Sequence, residues 1–115
     1  MATLFNKTKS AELISDLKIA DNLFSRMKGL LGTNELSENQ AMWIHRCNSI
    51  HTYFMKYPID CVFLTRDLRV LSIVESVGPW KMVWPQWGAD SVVEMRSGNA
   101  KKLKLNIGDE LHVGN

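Results

Sequence analysis

The sequence predicts a mainly β domain, α+β at its margin: a small antiparallel barrel or sandwich with one short helix at about residues 22–31. Three observations lead there. Short runs that alternate apolar and polar residues follow one another closely along most of the chain, the pattern of strands with one face on a core. One clear segment has helical spacing, and it comes too early to serve as the crossover of a parallel sheet. At 115 residues, with 45% hydrophobic and 23% charged side chains, the chain has the size and composition of a single domain with its own core, so residues 1–115 are read as one unit.

Taken in order, ELISDLKIA sets Leu13, Ser15, Leu17 and Ile19 against Ile14, Asp16 and Lys18 and reads as a strand. Asp21 suits the N-cap of the helical segment that follows, where Leu23, Phe24, Met27, Leu30 and Leu31 recur at helical spacing and Gly32 suits the left-handed position after the last turn. Beyond the polar loop GTNELSENQ, the runs AMWIHRC, SIHTYFM and DCVFLT read as strands. A turn at Arg66 and Asp67 sends RVLSIVESV back antiparallel, and SVVEMR and DELHV complete the strands, with a short helical turn around residues 99–103. No internal repeat, linker or low-complexity segment interrupts the series.

Composition also sets aside several function classes. A formal charge of +2 is too small to call for a nucleic-acid partner, and the cluster of Arg96, Lys101, Lys102 and Lys104 reads as a solvated face. Two cysteines, Cys47 and Cys61, in a chain of this size do not make a disulfide scaffold, so reduced thiols are expected. No signal-peptide pattern opens the chain and no run approaches a membrane span, which gives the cytoplasm as the expected location and no membrane partner, unless a leader has been lost.

The segments RMKGLLG, IHTYFMKYPIDCVFLTRDLRVLSI, ADSVVEMRSG and IGDELHV occur in the order and spacing of the domain of unknown function family 192 (DUF192), which the chain resembles from about residue 11 to residue 113. Arg26, Gly29, Leu30, Met55, Pro58, Asp60, Glu94, Gly98, Gly108 and Asp109 match the family pattern. The resemblance implies a small, mainly antiparallel β structure with a short helix, and it supplies no reaction. Many relatives are exported, as the resemblance implies, whereas this chain shows no leader.

The stretch CNSIHTYFMKYPID concentrates chemistry-bearing residues: Cys47, His51, Met55 and Asp60. On a straight strand His45, Cys47 and His51 would share a face, but Cys47 and His51 would lie about 13 Å apart, too far for one metal ion or a nucleophile and its base; a break at Asn48-Ser49 would change that. Paired Cys or His motifs are absent, so neither a metal nor a cofactor is called for, and no residue is assigned as catalytic. Asp60 enters the apolar run CVFL, where a carboxylate needs a partner or several backbone hydrogen bonds, and Arg26 is the candidate for a helix-to-sheet clamp. Glu94 raises the same issue, although alternation could turn it to solvent. Trp80, Trp84 and Trp87 punctuate the loop GPWKMVWPQWGAD, where they either offer stacking surfaces or, as the favoured reading, plug one end of the barrel.

The expected function is a ligand- or partner-binding accessory module with a pocket bordered by Cys47, His51, Met55, Asp60 and the three indoles, taking an unknown small molecule or protein and existing as a monomer or weak homodimer. The alternatives are a thiol-dependent or metal-assisted hydrolase using Cys47, His51 and Asp60, and a protein-interaction domain using an open sheet edge and the Trp loop.

Overall fold

The run IDCVFL is buried at every position, which a strand with one wet face cannot be, so it has to lie inside a sheet that is covered on both sides. The computed structural model, which describes residues 2–21 and 36–114, places it there. Among these residues the strands are β1 (Ala2–Asn6), β2 (Ala11–Ala20), β3 (Gln40–His45), β4 (Ile50–His51), β5 (Ile59–Leu64), β6 (Val70–Val77), β7 (Met82–Val83), β8 (Ser91–Arg96) and β9 (Leu111–Gly114), and a short helix, α1 (Asn99–Lys102), lies between the last two. Seven form one sheet in the order β6-β5-β8-β3-β2-β1-β9, while β4 and β7 pair as a separate two-stranded layer.

The large sheet curls until its two end strands meet. Arg69 and Glu110 form an antiparallel bridge, the Val70 N–H donates to Asp109 O at 2.9 Å, and the Leu111 N–H donates to Leu68 O at 2.8 Å. Asp109 pins this junction: its Oδ2 accepts from the Asn6 side chain at 2.9 Å and from the Asn106 N–H at 3.0 Å, and Lys9 Nζ lies 3.2 Å away. Burial pushes the Asp109 carboxyl up, but the bonds from Asn6, Asn106 and Lys9 outweigh it and leave the group below the usual carboxylate value.

Alternation then divides the core in two. Leu4, Ile14, Leu17, Val62, Val93, Met95 and Leu111 fill the concave side, closed by Ala100 and Leu105 from α1 and the turn after it. Ile44, Ile59, Cys61, Phe63 and Val92 face outward and are covered by Cys47, Ile50, Met55, Tyr57 and Val83 of the β4–β7 layer and its loops.

The mainly β, barrel-like class matches the expectation, with one difference in connectivity. β2 and β3 run parallel, from the pair Asp16–Gln40 to the pair Ala20–Ile44. Parallel neighbours need a connection of a dozen residues or more, and the chain between them, residues 21–39, is long enough; its position early in the chain was no bar. The helix expected at residues 22–31, and Arg26 with it, lie outside the described residues. The helical turn expected at 99–103 is α1. Two strands had no clear sequence signal: β1, and the two-residue β7. Conversely SIHTYFM is a strand only at Ile50–His51, because the chain turns at Thr52 and Phe54 enters the left-handed region with φ 67°. Among the described residues no helix is long and apolar enough to cross a membrane.

Candidate functional site

Strand β3 stops at His45 because Arg46 takes a left-handed conformation, φ 52°, and turns the chain out of the large sheet. The break comes two residues before the Asn48-Ser49 dipeptide that local propensity favours. The straight strand behind the 13 Å separation of Cys47 and His51 is therefore absent. Cys47 turns inward and packs in the outer core, its thiol donating to Ser49 O at 2.9 Å, and Met55 is buried in the same core. His51 enters β4 opposite Met82 and stacks on Tyr53, the ring centroids 4.7 Å apart. Neither Cys47 nor Cys61 forms a disulfide.

From His51 a row of rings runs outward. Tyr53 lies 6.1 Å from Trp80, and Trp80 lies 4.8 Å from Phe54. Thr52, fully buried, holds the row in place. Its N–H donates to Lys81 O at 2.8 Å, its hydroxyl donates to Gly78 O at 2.6 Å and accepts from the Lys81 N–H at 2.9 Å, and its carbonyl accepts from the Trp80 N–H at 2.9 Å and the Met55 N–H at 3.2 Å. One residue thus ties the turn at 53–54 to the turn at 79–80. Phe54 (φ 67°) and Trp80 (φ 63°) both sit in the left-handed region that bulky side chains avoid, and the Thr52 bonds hold these conformations.

The Trp loop continues from this platform. Phe54 and Trp80 are each 60% exposed, Met82 58%, Trp84 77% and Trp87 81%. The reading that the indoles plug the barrel is thereby corrected: aliphatic side chains and Leu105 already fill the concave side, and the short β7 ladder and the Thr52 bonds hold the loop outside it. Between β6 and this loop opens a groove of about 430 Å³, its walls Val74 and Val77 on one side and Met82, Val83 and Trp84 on the other, with Glu75 and Lys81 at its rim. β6 is the end strand of the sheet; it meets the β9 side only around Arg69 and Val70, and among the described residues no strand pairs with the free edge of Val74–Val77.

Asp60 stands apart from this surface. It points to the opposite side of β5 from Ile59, Cys61 and Phe63, and its carboxylate is fully buried. Oδ1 accepts from the Ser76 N–H at 2.8 Å, and Oδ2 accepts from the N–H groups of Gly98 and Ala100, both at 3.0 Å. Ser76 (φ 51°) is the bulge of β6, where the β5 register slips, and Gly98 (φ 91°) begins α1. One carboxylate thus fixes two irregular backbone points that no ladder could satisfy. Cys47 and Asp60 lie on opposite sides of the sheet, so the arrangement of Cys47, His51 and Asp60 as nucleophile, base and orienter has no geometric support. Glu94 is fully buried as well, between the register neighbours Met42 and Cys61 on the outer core side, where simple alternation had suggested solvent. Among the described residues no three His, Cys, Asp or Glu side chains are grouped to hold a metal ion.

Comparison with known proteins returns the same fold and the same absence of an assigned reaction. The family model DUF192, described as an uncharacterized ACR, matches residues 4–113. A UPF0127 protein of Thermococcus sibiricus is 34% identical over 112 residues, 94% of this chain and 72% of that protein. One of Pyrococcus abyssi is 30% identical over 116 residues, covering 96% and 97% of the two chains. Among solved structures, a protein of unknown function from Novosphingobium aromaticivorans superposes with a TM-score of 0.81 at 22% identity, over 96% of this chain and 82% of the other. A putative transcription regulator from Sinorhizobium meliloti does so with a TM-score of 0.76 at 18% identity, over 97% and 91%. At these identities the structural likeness is one of fold.

Proposed function

We propose that this chain, which belongs to the DUF192 family of uncharacterised proteins, is a binding module that docks a segment of another protein on the face formed by the Thr52-tied turns and the Trp loop. One observation carries the reading. Of seven large hydrophobic side chains exposed among the described residues, five, namely Phe54, Trp80, Met82, Trp84 and Trp87, belong to these neighbouring segments, and only Ile19 and Ile107 lie elsewhere. Tryptophan, methionine and phenylalanine are the residues that protein interfaces concentrate, and contiguous apolar exposure of this kind marks interaction surfaces.

The groove beside the platform gives the partner an anchor point. Its Val, Met and Trp walls suit one large apolar side chain, and the open flank of β6 suits an extended backbone on the way in. Holding Phe54 and Trp80 in fixed positions before binding lowers the ordering cost of association.

Peptide display on the immobilised protein tests this. Selected peptides should carry a bulky apolar anchor, and Met82→Ser or Trp84→Ser should weaken them by about tenfold or more, the effect of losing a hot-spot contact. Ile107→Ser, an equally exposed apolar position outside the face, should leave affinity unchanged. Peptides indifferent to Trp84 and Met82 would refute the reading, and oligosaccharides that quench the same indoles where peptides fail would move it to carbohydrate.

A further inference from the structure

The concave face also carries a polar cluster that the docking surface does not use. Trp43 and His45 are two apart on β3 and so share a side of the sheet, and His45 stands directly opposite Ser91 on β8. The indole and imidazole meet edge to face, their centroids 4.2 Å apart. Ser91 is 3% exposed and on the same side of β8 as Val93 and Met95, both part of the concave core. Trp43 Nε1, His45 Nε2 and Ser91 Oγ are each shielded from solvent, and none has a hydrogen-bond partner. Buried polar atoms are almost always paired, and here three unpaired ones gather on two adjoining strands.

We propose that Trp43, His45 and Ser91 form a binding site for a small carboxylate. Donors and acceptors decide the class of ligand. An indole N–H can only donate, and a serine hydroxyl and an imidazole nitrogen can both donate, so the group that satisfies all three at once is one rich in lone pairs. A carboxylate offers about four acceptor positions on two oxygens; a water molecule offers two, and would leave a donor unmet unless one of the three accepted in return. The apolar neighbours Val93, Leu64 and Ala41 sharpen the preference, because hydrogen bonds to a charged acceptor are strongest where water is excluded.

The test is a titration of isotope-labelled protein with sodium formate against sodium chloride of equal ionic strength, following the four indole N–H resonances and the His45 ring nitrogens. Trp43→Phe assigns the indole of interest. The site predicts a saturable shift of the Trp43 and His45 signals while Trp80, Trp84 and Trp87 stay still, and a Ser91→Ala protein, its fold verified from the same spectra, should bind about fivefold to tenfold more weakly. His45→Phe, which keeps the ring packing, provides a second variant and should abolish the Trp43 response. Absence of a saturable shift, equal shifts of all four indoles, or full binding by both variants would overturn the assignment. So would a long-lived water contact at the Trp43 indole that formate does not displace.

Discussion

Replacing Asp60 by alanine should remove a large share of the stability of the fold, by a mechanism that the hydrogen bonds specify. The carboxylate meets three N–H groups, from Ser76, Gly98 and Ala100, at 2.8 to 3.0 Å. A hydrogen bond to a charged group contributes about 1.5–3 kcal/mol, and each buried N–H left without a partner costs about 1–3 kcal/mol. These terms overlap and part of the loss relaxes, so Asp60→Ala should cost about 3–5 kcal/mol, a substantial fraction of the roughly 5–15 kcal/mol of a whole domain. Asp60→Asn separates the causes. Its one carbonyl oxygen can keep the pair from Gly98 and Ala100, while its NH₂ faces the Ser76 N–H as a second donor, so the loss should fall to about 1–3 kcal/mol. Urea unfolding with an unchanged slope is the assay, and the β6 bulge should show faster amide exchange in both variants. An alanine variant within about 0.5 kcal/mol of the parent would refute the account. An asparagine variant as damaged as the alanine one would point to a charge partner, for which Arg26 is the residue the sequence suggests.

Three further expectations concern other parts of the molecule. Thr52→Val keeps the side-chain shape but removes the hydroxyl bonded to Gly78 and Lys81, so it should cost about 1–3 kcal/mol and speed amide exchange at Trp80 and Lys81; unchanged exchange there would show that the turns hold without it. Asp109 lies below the usual carboxylate value in the fold, so it adds stability above its unfolded value of about 3.9, and that contribution is lost as pH falls through the lowered folded value. Acid unfolding of Asp109→Asn should therefore be less steep with pH than that of the parent, and equal slopes would contradict the assignment. Cys47 is buried with its thiol on Ser49 O, so alkylation at pH 7 should be slow in the native protein and fast only in urea; rapid native labelling that His51→Ala abolishes would mean that thiol and imidazole meet.

The parts of the fold that could be read in the sequence are those where a side-chain period exists to be read. DCVFLT, RVLSIVESV and SVVEMR are long enough for alternation or continuous apolarity to identify them, and they form three adjacent strands of the sheet. Met82–Val83 is too short to carry a period, and Arg46, which breaks β3, belongs to no residue class that signals a left-handed turn. Asp60 stood out as a carboxylate in an apolar run, yet its partners did not, because backbone N–H groups from residues 76, 98 and 100 leave almost no mark beyond Gly98. For the indoles, position was legible and direction was not. Tryptophan prefers burial on average, but whether a given ring is inside depends on whether the aliphatic core is already full, and that is a property of the assembled sheet.

The claim at the centre of this account is that the Thr52-tied turns and the Trp loop receive a protein segment. Hydrogen exchange of the protein with and without a display-selected peptide, read residue by residue, tests it most directly. A docked segment should bring new protection at residues 50–54 and 74–84, with no change around Ile107, and that footprint should be lost in Trp84→Ser. Protection confined to other strands, or a footprint that persists in Trp84→Ser, would contradict it.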